Sequence, residues 1–411
     1  MSPTATITTD LLTPLGAYLR LRGMGRASFL LESVERGRLG RASWMGAGTQ
    51  LVTLAEAKVM GAPVVGYLAY DSVATIEPTV ELPDDGHGLP ESRFVVAETL
   101  VRFDHGSGTA DVLAGDVEEV AGRLEAGIPW QREPRGVAGP VRRFPERERY
   151  LEMVRAVKDH IVRGDVFQCV PSQRAERPTS ATPLELYRAL RRVNPSPYLF
   201  LLELDGLALV GSSPERLVAC EDGTASLCPI AGTTEPTEGD VERLLSSEKD
   251  RAEHVMLVDL GRNDLSRVCR PGTVHVARSM EVERFSHVSH LVSEVVGELR
   301  HGVTPFDALR ACFPAGTVSG APKIRAMQLI SELEGFRRGP YGGAVLYVLP
   351  DGTMDACIAL RTMVVHDGVA HLQAGAGIVA DSDPAAEHEE CLKKLAALEA
   401  AIDLAERELA P

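Results

Sequence analysis

The sequence of 411 residues has few of the features that mark nucleic-acid-binding, membrane or secreted proteins. Its 43 basic residues are outnumbered by 58 acidic ones, and the net charge of −15 argues against a nucleic acid or an anionic membrane as a partner. No apolar run approaches the roughly 20 residues that a membrane-spanning helix needs. The first ten residues, MSPTATITTD, lack the basic start and the apolar core of a signal peptide, so we expect a cytoplasmic protein.

The seven cysteines are scattered, and no two of them form a Cys-x-x-Cys motif. Neither a disulfide framework nor a zinc site is therefore predicted, and we expect the thiols to be small buried groups in a reducing compartment. The apolar fraction of 44% and the charged fraction of 25% are those of a globular protein. The length exceeds what one hydrophobic core usually organises.

Short apolar runs separated by turn residues are mixed with amphipathic helices. Asp205-Gly206 and Asp222-Gly223 each separate two apolar runs and predict β-hairpins. Apolar residues at helical spacing predict a helix from Tyr150 to Ile161, and Thr182 is the predicted N-cap of another helix over Pro183–Val193. Because strands and helices do not alternate regularly, we predict an α+β fold with largely antiparallel sheets.

The stretch Pro129–Pro140 is rich in proline, arginine and glycine and is the predicted linker. It would separate an N-terminal region, residues 1–135, from a second region, residues 141–411, and we expect the two to be interlocked. Two further apolar runs, Phe94–Phe103 and Cys357–Val365, each predict a single strand.

Two pairs of carboxylates carry most of the functional signal. Asp250 and Glu253 are three residues apart, as are Glu387 and Glu390, and each pair lies in a predicted helix. This spacing places both carboxylates of a pair on one helical face, where like charges repel. A hard cation with oxygen ligands, Mg²⁺ shared with an anionic substrate, would relieve that repulsion. The alternative is two solvated acidic helix faces.

The surroundings of the second pair favour a binding pocket. It follows the glycine-rich run Gln373–Gly377, and Lys394 comes one turn later. A second glycine-rich segment, Phe313–Lys323, opens a predicted helix, where backbone N–H groups favour anions. This segment is not a P-loop, because its GAPK ending lacks the Ser or Thr after the lysine. A plain packing turn is the alternative.

Four polar side chains in apolar surroundings are further candidates. His287 and His290 lie three residues apart, and either is a catalytic group or a hydrogen-bonded core histidine. Arg361 interrupts an apolar run, so it binds either a substrate carboxylate or a structural acidic partner. Gln168, in a predicted strand, is either a structural tie or a neutral group that faces the substrate.

These segments, in this order, resemble the chorismate-utilising enzyme family and in particular its anthranilate synthase component I branch. The resemblance covers nearly the whole chain and is carried by motifs from end to end. They include GYLAYD (66–71), DVFQCVPSQR (165–174), NPSPYLF (194–200), PIAGT (229–233), AEHVMLVDLGRND (252–264), FSHVSHLVSEVVGEL (285–299), FPAGTVSGAPKIRAMQLI (313–330) and GPYGGAV (339–345).

The resemblance implies a sandwich of large antiparallel sheets with helices packed outside. It implies Mg²⁺ ligands at Glu253 and Glu390, supported by Asp250 and Glu387. Chorismate would bind a set of basic, phenolic and backbone groups. These are Arg361, Tyr341, Lys394, Gly375, Ala376 and Gly377. The residues expected to carry the chemistry are His290, Gln168 and Thr317.

Gln168 is the informative position of that set. Relatives that add water usually have lysine there, whereas relatives that add ammonia have glutamine. Ammonia is already a nucleophile and needs no charged base. The implied reaction is amination of chorismate followed by loss of pyruvate, giving anthranilate, with ammonia from a glutamine amidotransferase partner. One alternative is amination without elimination, giving 2-amino-2-deoxyisochorismate, and another is a non-catalytic tryptophan-binding subunit.

Two segments resemble the halves of the family's tryptophan site, and the resemblance therefore implies L-tryptophan as an inhibitor. Glu32 would receive the ammonium group, and the Pro-Ser-Pro-Tyr turn would hold the indole. The alternative is a strand end and a helix stop. The residues concerned are Leu31, Glu32 and Ser33 in the first segment and Pro197, Tyr198 and Leu199 in the second.

Overall fold

The computed structural model describes residues 3–33, 42–86, 88–129, 138–234, 237, 239–284 and 289–407. None of the helices within these ranges is long and apolar enough to cross a membrane. The described strands are β1 (Ala5–Thr8), β2 (Ala27–Glu32), β3 (Ala42–Gly48), β4 (Leu51–Val52), β5 (Val64–Leu68), β6 (Ser92–Val96), β7 (Thr99–Asp104), β8 (Thr109–Ala114), β9 (Arg142–Phe144), β10 (Gln168–Cys169), β11 (Ser172–Pro178), β12 (Tyr198–Leu204), β13 (Ala208–Ser213), β14 (Arg216–Glu221), β15 (Thr224–Leu227), β16 (Ile230–Thr234), β17 (His275–Arg284), β18 (Ser289–Glu298), β19 (Gly320–Ala321), β20 (Ala344–Val348), β21 (Met354–Ile358), β22 (Thr362–His366) and β23 (Val369–Gly375).

The helices of the same ranges vary from one turn to more than six turns. They are α1 (Pro14–Leu21), α2 (Leu54–Ala57), α3 (Val73–Ile76), α4 (Val117–Glu125), α5 (Arg147–Val162), α6 (Pro183–Val193), α7 (Asp240–Ser246), α8 (Glu248–Ser266), α9 (Pro305–Cys312), α10 (Lys323–Glu334) and α11 (Pro384–Arg407).

Most of the described strands form two large antiparallel sheets. The order in the first sheet is β1-β8-β7-β3-β2-β12-β13-β22-β23-β11-β9. The order in the second is β16-β18-β15-β14-β21-β20-β5-β6-β4, and β17 also pairs with β18. A separate two-stranded sheet joins β10 to β19.

The sheets face each other across an apolar layer to which both contribute, for example Phe29 and Phe200 from the first sheet and Tyr67 and Val345 from the second. The outer face of the first sheet packs against α1, α6 and α11. The outer face of the second sheet packs against α9 and part of α8. The predicted fold, a sandwich of antiparallel sheets with helices outside, is confirmed.

Both sheets take strands from either side of the Pro129–Pro140 stretch. In the first sheet β2 pairs with β12, and in the second β5 pairs with β20. The N-terminal region therefore completes the sheets of the second region. The boundary between residues 1–135 and 141–411 stays a prediction.

The local turn and cap signals led to correct elements. Asp205-Gly206 joins β12 to β13 and Asp222-Gly223 joins β14 to β15, with both residues of each turn at positive φ. Thr182 caps α6 in a capping box with Glu185, and α6 has the predicted bounds.

Two predicted single strands are wrong. The run Phe94–Phe103 divides between β6 of the second sheet and β7 of the first, and Cys357–Val365 divides between β21 and β22. In the second case the chain crosses between sheets at Arg361, whose φ of 47° is rare for a non-glycine residue. An apolar run that passes from one sheet to the other keeps its hydrophobicity, so periodicity alone does not reveal the crossing.

Candidate active site

The end of β23 is a segment that several of the predicted residues approach, among them Gln168, Tyr341 and Lys394. Gly375 pairs with Ser172 of β11, and beyond the strand the Ala376 N–H donates to the Pro171 carbonyl, 3.3 Å. A Cβ atom at Gly377 would lie 2.7 Å from Gln168 Nε2, so a larger residue here would displace the amide.

Gln168 lies between this segment and α8. Its Nε2 donates to Glu253 Oε1 at 3.0 Å, while its buried Oε1 has no hydrogen-bond partner among the described residues. The strand that carries it, β10, contacts β19 so closely that Gly320, at φ 135°, has no space for a Cβ atom. Gln168 is therefore held in place and presents an unused acceptor, as a substrate-facing amide does.

The first carboxylate pair lies on α8, as predicted. Helix α8 is fixed to β18 by a hydrogen bond of 2.6 Å between His254 Nε2 and Ser293 Oγ. Asp250 packs against Gly232, where an added Cβ atom would lie 3.2 Å from Asp250 Cβ. The same Gly232 carbonyl accepts a hydrogen bond from His290 Nδ1 at 2.9 Å.

Since a carbonyl only accepts, that contact places the proton of His290 on Nδ1. Burial lowers the pKa of His290, and the charge of Arg361 lowers it further. The ring is therefore neutral near pH 7 and carries its lone pair on Nε2, as a general base requires. The other candidate histidine, His287, lies outside the described residues.

The second carboxylate pair lies on α11. Glu390 Oε1 accepts from Lys394 Nζ at 2.7 Å, and Lys394 also donates to the Gly375 carbonyl at 2.8 Å. An added Cβ atom at Gly375 would lie 3.0 Å from the hydroxyl of Tyr341. Helix α11 therefore reaches the same glycine-lined segment as α8.

Arg361 is a half-buried cation without a carboxylate partner among the described residues. Its Nη1 donates to Asn194 Oδ1 at 3.2 Å, and burial lowers its pKa. The structural ion pair that the sequence left open is not formed within these ranges. A free cation near a neutral histidine is suited to a carboxylate of a ligand.

Glu215 is a functional candidate that sequence reasoning missed. It follows β13, and its Oε1 accepts from Thr317 Oγ1 at 3.1 Å. Burial raises the pKa of Glu215 to about 8, so the carboxyl is largely protonated at neutral pH and can donate a proton. The one signal in the sequence is Glu215-Arg216 between two apolar runs, which does not show that the carboxyl reaches Thr317.

A buried ion pair behind the site also escaped prediction. Arg338 binds Glu334 through two hydrogen bonds of 2.6 and 2.9 Å and donates to the carbonyls of Val318 and Val170. Its guanidinium also lies 5.6 Å from the ring centre of Tyr341. The pair thus joins the segments next to Thr317 and Gln168 to the tyrosine of the pocket.

The comparisons with known proteins show the family of the chain. Residues 27–400 match the model of the chorismate binding enzyme family. The chain belongs to this family. Anthranilate synthase component 1 of Thermus thermophilus is 44% identical over 455 aligned positions, which cover 98% of this chain and 97% of that protein. The Streptomyces coelicolor protein of the same name is 45% identical, with coverages of 97% and 88%.

A solved structure supports the same assignment. The crystal structure of anthranilate synthase component I from Streptococcus pneumoniae has a TM-score of 0.81 at 34% identity and covers 97% of this chain and 100% of that chain. The resemblance predicted from the motifs is confirmed.

The carboxylate helices of this chorismate binding enzyme fit a hard cation, although the protein alone does not complete its coordination. Among the described residues, no three His, Cys, Asp or Glu side chains form a metal-binding group. Glu253 and Glu390 nevertheless keep a carboxylate oxygen for a ligand, because each is bound through Oε1, Glu253 to Gln168 and Glu390 to Lys394. Mg²⁺ usually keeps waters and substrate oxygens and takes only one or two protein carboxylates. The ligand roles of the four acidic residues stay predictions.

The two predicted tryptophan segments lie side by side, but the side chains of Glu32 and Tyr198 point in different directions. In the antiparallel pair β2–β12, Glu32 lies opposite Leu199 and Leu31 opposite Phe200. The Glu32 carboxylate is buried and binds the Tyr187 hydroxyl and Arg191 of α6. Tyr198 instead accepts from Arg216 on the layer between the sheets. Ser33 follows β2, and Pro197 precedes β12 in a buried position.

Proposed function

We propose that this protein catalyses the amination of chorismate with ammonia and the elimination of pyruvate to give anthranilate. The observation that carries the proposal is the neutral amide of Gln168, held by Glu253 with its carbonyl oxygen unused. A lysine there would activate water and repel ammonium, whereas an amide can accept a hydrogen bond from ammonia. Relatives that match nearly the whole chain and are named anthranilate synthase component 1 support the same reaction.

The residues of the pocket can be assigned to successive steps. Arg361, Lys394 and the backbone at Gly375–Gly377 hold the two carboxylates of chorismate. Ammonia beside Gln168 forms a bond to C2 of the ring, both ring double bonds shift, and the C4 hydroxyl leaves as water. The new ammonium group on C2 loses one proton to solvent. Glu215, protonated at neutral pH and oriented by Thr317, supplies the proton that this hydroxyl needs.

The second step makes the ring aromatic. His290 Nε2 accepts the proton of C2, and the C3 enolpyruvyl oxygen leaves with its bonding electrons and is protonated to give pyruvate. The carbons, the nitrogen and the oxygens balance as anthranilate, pyruvate and one water. Mg²⁺, when bound by Glu253 and Glu390, would hold the ring carboxylate electrostatically.

We propose that the ammonia comes from a separate glutamine amidotransferase subunit. All seven cysteines of the chain are buried, and burial raises the pKa of every one of these thiols. Glutamine hydrolysis by a cysteine amidotransferase needs an accessible thiolate. The chain therefore lacks a suitable nucleophile of its own.

We also propose that L-tryptophan inhibits the enzyme by binding between β2 and α6. The support is the buried carboxylate of Glu32, which can receive an ammonium group in exchange for Arg191. Both Tyr187 and Arg191 lie on α6, and this helix ends at Asn194, the partner of Arg361. An exchange at Glu32 would thus act on the element that leads to the substrate pocket.

Product analysis tests the reaction. The purified protein is incubated with chorismate, MgCl₂ and an ammonium salt at about pH 8.5, where more of the ammonia is free. Equal amounts of anthranilate and pyruvate are expected. Accumulation of 2-amino-2-deoxyisochorismate without pyruvate would replace the proposal with amination alone, and isochorismate in place of both would overturn the role of Gln168. No binding of chorismate would indicate a non-catalytic subunit.

A further inference from the structure

We propose that Asn194 is a positioning residue for substrate binding, which holds Arg361 in place for a substrate carboxylate without neutralising its charge. The inference rests on the proposed role of Arg361 as a carboxylate-binding residue. Asn194 has a second part in the fold as the C-cap of α6, so the experiment has to separate the two.

Arg361 differs in its partner from Arg216 and Arg338, two arginines that are also largely removed from solvent. Arg216 is paired with Asp355 at 3.2 Å, and Arg338 is paired with Glu334 at 2.6 Å. Both guanidinium groups are therefore neutralised by the protein. Arg361 binds the uncharged Oδ1 of Asn194 instead, at 3.2 Å.

A neutral acceptor in this position keeps the cation ready for an anion. A carboxylate in place of the amide would form an ion pair with Arg361, which an incoming carboxylate would have to break. The other neighbours of Arg361 stabilise its positive charge little. Burial lowers the pKa of Arg361, and the nearby His290, whose pKa the charge of Arg361 lowers, is neutral. An amide orients the guanidinium fork and leaves its net charge of +1.

Hydrogen bonds of its backbone hold Asn194 between α6 and β13. The Asn194 N–H donates to the Leu190 carbonyl at 2.8 Å, and the Asn194 carbonyl accepts from the Ser212 hydroxyl. The Ser212 N–H in turn donates to the Arg361 carbonyl at 3.2 Å. One residue of β13 thus fixes the backbone on both sides of the side-chain contact.

Among the described residues, the Nδ2 group of Asn194 makes no hydrogen bond that could orient the side chain instead of Arg361. Asn194 Nδ2 is buried and has no hydrogen-bond partner among the described residues. A buried amide usually satisfies both ends, and leaving one donor unpaired costs free energy. Such an arrangement is retained where an incoming ligand or the required orientation of a neighbour compensates for it.

The test compares two substitutions of Asn194 with a change at the other end of the same helix. Asn194→Ala removes the acceptor, and Asn194→Asp replaces it with a carboxylate of the same shape. Thr182→Ala removes the N-cap of α6 and leaves Arg361 untouched. Chorismate affinity, KM and kcat are measured for each variant, with circular dichroism to confirm folding.

We expect the KM for chorismate to rise about tenfold in Asn194→Ala and further in Asn194→Asp, with kcat and the KM for ammonia within about twofold of wild type. Thr182→Ala should keep the wild-type KM. A role in capping alone predicts a less stable α6 in both Asn194 variants, because a negative charge at a helix C-terminus is unfavourable, but an unchanged KM for chorismate. Binding by Asn194→Asp as tight as by wild type would overturn the inference.

A separate control distinguishes a failure of this inference from a failure of the proposed function. Chorismate binding to wild type and to Arg361→Ala is measured directly by titration calorimetry. If wild type binds no chorismate, the proposed function fails. If wild type binds and Arg361→Ala binds equally well, the role of Arg361 fails, and the positioning role of Asn194 fails with it.

Discussion

Glu253 and Glu390 each have one polar partner among the described residues, and neither forms a buried structural ion pair there. Glu253 accepts from an amide, and Glu390 accepts from a lysine whose side chain is 42% exposed. An exposed pair of this kind contributes little to stability. Both carboxylates are therefore free to serve a ligand at small cost to the fold.

We expect Glu253→Gln and Glu390→Gln to lower Mg²⁺-dependent turnover by at least about 100-fold and to leave the unfolding temperature close to that of wild type. The amide removes the negative charge that a hard dication requires. Turnover is measured across a titration of MgCl₂. Glu389→Gln, an exposed neighbour on α11, is the control and should behave as wild type. Near-normal activity of either variant at low Mg²⁺ would contradict the ligand assignment.

A second prediction concerns Glu215, whose pKa is raised to about 8 by burial. A carboxyl with this pKa is protonated below pH 8 and loses its proton above it, so an acid role predicts that kcat/KM falls above about pH 8. Glu215→Gln should slow turnover by roughly 10²–10⁴-fold and remove that alkaline limb.

The control for this experiment is Glu221→Gln, at the exposed end of β14. It should retain both the rate and the alkaline limb. If Glu215→Gln kept the same limb at a reduced rate, another group would be the source of the titration, and the acid role would be lost.

Among the elements, helix ends were predictable and strand ends at the crossings were not. Helix α6 was found with its bounds because Thr182 and Glu185 form a local signal that tertiary contacts do not change. The crossing at Arg361 depends on which sheet each side of an apolar run joins, and this is decided by residues far away in sequence. Gln168 and Arg361 were predicted as candidates because each interrupts an apolar run, which is a local signal. Glu215 was missed because its contact with Thr317 depends on residues far away in sequence.

The two-stranded β10–β19 sheet gives a prediction at this scale. An added Cβ atom at Gly320 would lie 2.1 Å from the Gln168 carbonyl oxygen, so Gly320→Ala must push β19 away from β10. We expect it to destabilise the protein by more than about 1 kcal/mol and to lower amination severely, because Gln168 moves.

Gly164→Ala is the matched control for this change. Gly164 also has a positive φ, 82°, but no atom lies within 4 Å of the position of its Cβ. It should cost stability only through backbone strain, on the order of 1 kcal/mol, and keep full amination at low temperature. Equal loss of activity in both variants would show that strain, and not displacement of Gln168, is responsible.

The β2–α6 contact predicts the behaviour towards tryptophan. L-Tryptophan should inhibit wild type with a coupling of about 1–3 kcal/mol, and Ser33→Phe should remove inhibition without lowering the uninhibited rate. Ser107→Phe, in the exposed turn between β7 and β8, is the control and should remain inhibited. The measurement is the initial rate across a tryptophan titration. No inhibition of wild type at millimolar tryptophan would leave these segments a purely structural role.

At the scale of the whole molecule, composition and turn signals indicated the fold class, but they did not show which strands are neighbours. The hairpins β12–β13 and β14–β15 follow from local turns. Strand β2 pairs with β12 although the two strands are far apart in the sequence, and no local pattern specifies this pairing. The motif resemblance supplied the sandwich because the whole ordered set of motifs belongs to that fold.

This long-range pairing yields a prediction for the isolated regions. A fragment of residues 141–411 lacks β2, β3 and β5, so Phe200 and Val345 lose the apolar partners that cover them between the sheets. Such an exposed face and an unpaired edge at β12 favour aggregation. We expect the fragment to show no cooperative thermal unfolding by calorimetry, whereas the full chain unfolds with its two regions together.

Mixing the 141–411 fragment with a fragment of residues 1–135 during refolding should restore a cooperative transition and chorismate binding, because the missing strands are then supplied from a second chain. A cooperative transition of the 141–411 fragment alone would show that its core is complete without the N-terminal strands, and the two regions would then be separate folding units.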